Sequence, residues 1–278
     1  MPEVSRQQRF VARRSIRLAA QVLELAKQDI RRRFAGSYMG MFWAVGVPLL
    51  TSAVFIVVFG ILMEGNLPGR QYAGKDFTTY YFLGYAPWLL FAEVVSRSTS
   101  ALRDNRNLVT SVKFPHILIP IALFASALVT HAMLFFAGIG LMLANGYAFS
   151  DSLALFPVYF VLLALTTLGV AFAFAAVGAF VSDLDQIVPV VLSAVFFTLP
   201  ILYSPDLVLR RAGNIGRVLL LEGNPLAGLV EGYRTSLMQT GAHSEAMSLI
   251  WLIPVAFGVF VGGVALYRWM TPAFADVL

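Results

Sequence analysis

The sequence contains no cysteine, which excludes disulfides, thiol nucleophiles and Cys-ligated metals. Lysine is scarce as well, with Lys27, Lys75 and Lys113 the only three. The three histidines, His116, His131 and His243, lie far apart and outside any HxxxH or HExxH pattern, so no metal site is expected. Charged residues make up 13% of the chain, about half the usual share of a soluble domain. Paired carboxylates for acid–base chemistry are equally sparse, Asp183 and Asp185 being the one close pair. A membrane enzyme would have to work with those two. What is abundant is apolar surface: 59% of residues are hydrophobic and the mean hydropathy is +0.77. It comes in long runs, which favours membrane helices over one large core.

The run from Met41 to Met63 has no ionisable side chain and follows the triplet Arg31–Arg33. As a helix it would be roughly 35 Å long, enough for a bilayer core of about 30 Å. Five further spans are expected, at about 77–95, 117–144, 153–181, 187–203 and 247–267. Placing the arginine triplet inside puts fourteen of the 20 lysines and arginines in inner segments and six in outer ones, the asymmetry that the positive-inside rule requires. Both termini then face the cytoplasm. The first 30 residues have no continuous apolar stretch, so no cleavable signal is expected. The net charge of +5 is read as orientation and anionic-lipid contact, with no nucleic-acid partner.

Residues 1–40 form a basic N-terminal segment and residues 41–278 the membrane domain. Residues 1–16 read as a mobile tail. Ile16, Ala19, Leu23, Ala26, Ile30 and Phe34 then follow helical spacing, which predicts an amphipathic helix for the membrane interface or for a partner. Gly36 and Gly40 form a GxxxG pair at the turn into the first span that would permit close helix approach. Ser96–His116 is polar and predicts a short inner helix with Leu102, Leu108 and Val109 on its apolar side. Outside, Ser204-Pro205 and Asn224-Pro225 each offer an N-cap followed by proline, predicting two short helices that dip into the outer half of the membrane.

Several features have a bland reading beside a functional one. Gly69 to Lys75 fits half of a phosphate-binding loop, but Asp76 follows where a hydroxyl is needed and no strand precedes it, so it is rejected. Glu93 sits near the inner end of its span beside Arg97, where it can reach water or pair. His131 reads as a neutral ring hydrogen-bonding between helices. Asp183 and Asp185 read as helix caps that also contact a partner. The aromatics of the second and fifth spans can be belt and packing residues, or a surface on which sugar rings stack.

Four stretches carry a resemblance. They are Asp29-Ile-Arg31 through Gly36-Ser37, Gly40, Trp43 and Pro48; Phe82-Leu-Gly-Tyr-Ala-Pro-Trp88 with Leu108 and Lys113-Phe-Pro115; Asp183-Leu-Asp-Gln-Ile-Val-Pro189 through Phe196 to Pro205; and Asn224-Pro225 with Tyr233-Arg234. In this order they resemble the permease subunits of ABC-2 type polysaccharide exporters, which move O-antigen, capsule or teichoic-acid polymers. The sequence departs from that family around Asp183-Leu-Asp185, more acidic here, and in its arginine-rich N-terminus. The resemblance implies an all-α membrane protein of six transmembrane helices, an N-terminal amphipathic interface helix and two outer re-entrant gate helices. It implies a homodimer in the bacterial cytoplasmic (inner) membrane, bound to two copies of an ABC ATPase subunit and moving a lipid-linked polysaccharide. No cofactor is expected in this chain, ATP and Mg²⁺ being used by the ATPase. Arg103, Asp104, Asn105, Arg106 and Asn107 are the implied ATPase-coupling residues. Arg31, Arg32 and Arg33 are candidates for the substrate headgroup. Tyr81, Tyr85, Trp88, Phe196, Phe197 and Tyr203 are candidates to line the channel, and Pro205, Leu220, Asn224 and Pro225 belong to the outer gate. A drug or lipid permease of the same type is the nearest alternative.

Overall fold

A computed structural model describes residues 2–33, 35–36, 38–40, 42–63, 75–110, 114–211, 213–238 and 249–277. Glu64, the loop Gly69–Gly74 with Tyr72, Lys113, Phe34, Ser37 and the expected start of the sixth span at residue 247 lie outside the described residues. Thirteen α-helices appear among the described residues: α1 (Pro2–Arg33), α2 (Phe42–Phe55), α3 (Lys75–Ser98), α4 (Ala101–Asp104), α5 (Arg106–Val109), α6 (Leu118–Ala144), α7 (Phe156–Gly178), α8 (Leu184–Thr198), α9 (Pro205–Arg211), α10 (Gly213–Arg217), α11 (Pro225–Leu237), α12 (Leu249–Met270) and α13 (Phe274–Val277). π-helical segments extend α2 over Ile56–Leu62 and α10 over Val218–Glu222. Among the described residues the β-structure is one backbone bridge, Phe149 to Met238.

α1 departs from expectation at its start. No glycine or proline interrupts residues 4–33, and Arg, Ala, Leu and Gln favour helix, so the basic stretch read as a mobile tail is helical. Gly36 and Gly40 stand at the turn where the sequence placed them. Both have left-handed backbone, φ +79° and +49°, with open space where a side chain would stand. They turn the chain from α1 into α2.

Four helical runs, Phe42–Leu62, Leu118–Ala144, Leu153–Gly178 and Leu249–Ala273, are long and apolar enough to cross a membrane. α3 is as long, with 24 residues, but carries Tyr80, Tyr81, Tyr85, Glu93 and Arg97. Its surroundings explain this: from Phe77 to Val95 nearly every side chain is buried, so α3 is the central helix and is largely enclosed by protein. α8 is shorter than the expected 187–203. Leu199 precedes Pro200, whose ring disfavours α-geometry in the residue before it, and Leu199 is extended at φ −91°, ψ 145°.

α2, α3, α6, α7, α8 and α12 run alternately between two ends. At the basic end lie the last turn of α1, the end of α3, α4, α5, the start of α8, and α13, whose buried Phe274 packs on Tyr267 and Phe180. At the distal end Asn145 donates to Thr79 at 2.8 Å, and the bridge to Met238 brings in α11.

The α7–α12 crossing is the tightest helix contact. A Cβ on Gly169 would overlap the backbone of Val259 and Phe260, and one on Gly263 would overlap the backbone of Gly169. Neighbouring Gly258 and Gly262 face open space. Gly263→Val is therefore expected to destabilise the purified protein by about 1–3 kcal/mol or more through overpacking, while Gly262→Val changes its thermal unfolding little. Equal midpoints for the two variants would refute the close crossing.

Candidate functional site

The arginine triplet ends α1, and its members have different surroundings. Arg33 pairs with Glu93 on α3, and Arg32 donates to Asn105 Oδ1 at 3.3 Å. Arg31 makes no ion pair among the described residues. One turn earlier, Asp29 pairs with Arg97. Arg97 also reaches Glu93 at 3.3 Å and Ser126 Oγ on α6 at 3.4 Å. The chain of charges Asp29–Arg97–Glu93–Arg33 thus fastens α1 to α3. Glu93 is almost fully buried and the pairing its position suggested is present, with two arginines to balance it. A buried carboxylate without them would be costly.

Behind this network α1, α3, α4 and α6 enclose a cavity of about 420 Å³. Beside it the polar connection forms two single turns, α4 and α5, rather than one helix. They break at Asn105, whose side chain bonds to the Ala101 carbonyl at 2.9 Å. Leu102 and Val109 are buried as the pattern required, Leu108 is half-buried, and Asp104, Arg106 and Asn107 are exposed. With Arg32, Arg103, Asn105 and Leu108 those exposed residues line a recess of about 260 Å³. Arg103 does not point freely outward, because it pairs with Asp185 in the first turn of α8. The capping role read for Asp183 and Asp185 is not seen. Asp183 occupies the N-cap position of α8 without a side-chain bond, and the Asp185 carboxylate is committed to Arg103.

From Arg33 and Glu93 a groove runs between α2, α3 and α8. Its first part, about 430 Å³, is lined by Trp43, Val47, Thr51, Tyr85 and Leu89. Its second, about 360 Å³, shares Thr51 and Tyr85 and adds Trp88, Ser96, Phe196 and Phe197. Four of the six aromatics singled out in the sequence therefore share one surface. Phe196 is in edge or tilted contact with Tyr85 and Trp88, at 6.2 and 6.0 Å between ring centroids. Phe197 is 59% exposed at the rim. Tyr81 lies behind them, fully buried and stacked on Tyr85 at 5.1 Å. Tyr203 lies past the end of α8 and donates its hydroxyl to the Phe197 carbonyl at 3.3 Å.

At the distal end both proline-initiated helices are present as α9 and α11. Asn224 caps α11 as expected, its Oδ1 accepting from Leu226 N at 3.1 Å and Ala227 N at 3.4 Å. Ser204 does not cap α9 through its side chain. Its Oγ is buried without a partner among the described residues. Leu220 and Pro225 are half-buried and Pro205 is buried.

Arg234 on α11, which the sequence offered only as part of the resemblance and without a role, is completely buried. It pairs with Glu231 at 2.7 Å, donates to the Pro200 carbonyl at 2.6 Å and lies 3.5 Å from the centre of the Tyr80 ring. Gly84 makes room, since a Cβ there would overlap the guanidinium. A short distance away His131 bonds the Ala86 carbonyl through Nδ1 at 3.1 Å and the Tyr233 hydroxyl through Nε2 at 3.2 Å. That is the neutral helix–helix bond expected of it. The i, i+3 pairing of Glu231 with Arg234 in an apolar helix was the signal for the buried ion pair; its distant partner Gly84 carried none.

End-to-end apolar helices around a groove, closed by charged networks at both ends, define an integral membrane protein built as a helical bundle. The chain belongs to the ABC-2 type transporter family, whose match covers residues 20–238. It is 30% identical over 217 residues to the O-antigen export system permease protein RfbA of Myxococcus xanthus, covering 77% of this chain and 78% of that one. Similarity to RfbA of Klebsiella pneumoniae is 22% over 259 residues, 91% of this chain and 93% of that one. The polysialic acid transport protein KpsM of Escherichia coli is 24% identical over 243 residues, 87% of this chain and 90% of that one.

The distal anchor yields a stability test. Glu231→Leu leaves the Arg234 guanidinium buried without its carboxylate and is expected to cost about 3–5 kcal/mol. Replacing both residues by leucine is expected to cost less than this single change. A double variant less stable than Glu231→Leu in thermal unfolding would contradict a buried, mutually dependent pair.

Proposed function

We propose that this chain is the permease subunit of an ATP-driven exporter that moves a lipid-linked polysaccharide across the bacterial inner membrane. The observation that carries the reading is the groove: the Arg33 guanidinium, paired with Glu93, at its mouth, then Trp43, Tyr85, Trp88, Phe196 and Phe197 in the wall that α2, α3 and α8 build. Aromatic faces stack on the C–H faces of sugars while the neighbouring hydroxyls stay free, so such a wall can pass a polymer without fixing its sequence. The names of the relatives, O-antigen and polysialic acid transport proteins, support the same cargo class.

In this reading α2, α3, α6, α7, α8 and α12 are six spans with the basic end in the cytoplasm, as the positive-inside rule favours. The groove is open on the Phe197 side, and a second copy of the chain closes it into a channel. Two ATPase copies dock at the recess of Asp104–Leu108 and hydrolyse ATP there, with Mg²⁺, outside this chain. The segment α9–α11 with Leu220 gates the outer mouth. At the inner leaflet the pyrophosphate of the glycan carrier is received by Arg31–Arg33, where it competes with Glu93 for Arg33. The fork of arginine suits a phosphate that takes two hydrogen bonds at once. A membrane-enzyme reading is weaker, since Asp185 is engaged with Arg103. A drug or lipid permease would have less use for the charged mouth.

Complementation tests the cargo. In a cell lacking its own O-antigen permease, this chain with its cognate ATPase restores surface polymer. Replacing Phe196 and Phe197 together by alanine lowers export about tenfold, a loss of roughly 1.4 kcal/mol of stacking. Restored drug efflux with no surface polymer would overturn the reading. Replacing Arg31, Arg32 and Arg33 by lysine keeps the charge and the insertion but lowers export; unchanged export would reduce their role to orientation alone.

A further inference from the structure

The Arg103–Asp185 ion pair links the turn at the basic end to the helix that forms one wall of the groove. α8 is attached to the rest of the protein in an unusual way. Its buried side chains are Val188, Leu192 and Phe196, a single stripe at four-residue spacing, while Ile187, Val190, Val191 and Phe197 are exposed. A helix held by one seam can slide or tilt without disrupting a broad packed interface, as in shear motions of packed helices. Its two ends, in contrast, are tied by polar contacts. At the start Asp185 holds Arg103; just past the end Pro200 accepts hydrogen bonds from Arg234 at 2.6 Å and from the Tyr80 hydroxyl at 3.2 Å. Between these ties lie Pro189, Leu192, Ser193, Phe196 and Phe197 of the groove wall.

The partners at the first tie are specific. Asp104, the carboxylate next to Arg103 in sequence, accepts from Ser100 Oγ at 2.6 Å, while Asp185 is the anion that Arg103 meets. Both side chains are partly exposed, and such pairs contribute about 0–1 kcal/mol to stability. Fold stability therefore gives little reason for the pair, whereas its position between α4 and α8 gives a mechanical one.

We infer that α8 is the transmission rod of this protein and that Arg103–Asp185 is its joint. Movement imposed on α4 and α5 is passed through the pair to α8, shifts the groove wall that Phe196 and Phe197 form, and reaches α11 through Pro200 and Arg234. Arg103 is a positioning residue in this scheme: it faces α8 rather than the ATPase. The inference rests on the proposed docking of an ATPase at the α4–α5 turn.

The test uses the full permease–ATPase complex in membranes and three variants: R103E, D185R and the exchange R103E/D185R. Each single variant is expected to retain the ATPase on purification and to lower ATP-driven export at least tenfold. The exchange restores export to within about threefold of the original. Export at the original level by both single variants overturns the joint. So does an exchange variant no better than either single one, and so does loss of the ATPase from R103E with retention in D185R, which would make Arg103 a docking residue. Because the chain has no cysteine, Thr110→Cys, exposed at the end of α5 and outside the recess, and Ile187→Cys can be spin-labelled without background. On trapping with a non-hydrolysable ATP analogue the two labels are expected to move together, and to separate when Asp185→Arg is added. An α8 label that stays fixed while the Thr110 label moves also overturns it. Absence of export or of ATPase binding in the unsubstituted protein would instead strike the export reading itself.

Discussion

A polar group on a helix that is enclosed by protein must find a partner, because leaving it unpaired costs on the order of a few kcal/mol. α3 obeys this constraint along its whole length, and the arrangement of its neighbours follows. Glu93 and Arg97 need counter-charges, which brings the last turn of α1 against the basic end of α3 through Arg33 and Asp29. Tyr80 offers a ring face to Arg234 and a hydroxyl to the carbonyls of Pro200 and Tyr203, which fixes α11 and the end of α8 at the distal end. Ala86 provides a carbonyl for His131, which joins α6 and, through Tyr233, α11. The central helix is thus less apolar than α2, α6, α7 and α12 because protein encloses most of it.

The same constraint explains where the groove lies. α2 and α8 meet α3 mainly through apolar and aromatic side chains, Phe55 packing on Tyr81 at 6.0 Å and Phe196 on Tyr85 at 6.2 Å. On its other faces α3 adds hydrogen bonds and ion pairs to its apolar packing. Phe55 and Phe196 join α2 to α8 at 5.3 Å, and beside them the three helices leave a space walled by rings. Arg33 and Glu93 stand at one end of that space, so the network that attaches α1 also sets the charge at the groove mouth.

The apolar runs were legible in the sequence because a membrane span is a local property: twenty or so residues without charge are enough. Met41–Met63, Ile117–Ala144 and Leu153–Val181 correspond to helices within a few residues. Proline punctuation was legible for the same reason, and Pro205 and Pro225 start helices where the dipeptides placed them. Misreadings arose where a local pattern had two uses. The basic residues before Ile16 looked unable to bury anything, yet they are good helix formers without a breaker and continue the helix that follows them. For α8 the run of apolar residues continued through Leu199 and Ile201, and the rule that the residue before proline is extended decided its end.

By itself the sequence determined the class of protein, the approximate spans, the basic end, and the aromatics available to a groove. These follow from composition and short-range pattern, which survive without knowledge of neighbours. Tertiary structure alone decided which of those aromatics share a surface, that Arg33 answers Glu93, that Arg103 answers Asp185, and that Gly84 makes room for Arg234. The residues of these pairs are separated by 60, 82 and 150 positions. The physical reason is that a charge announces its need for a partner wherever it occurs, but only the packing of the helices brings a particular partner within reach.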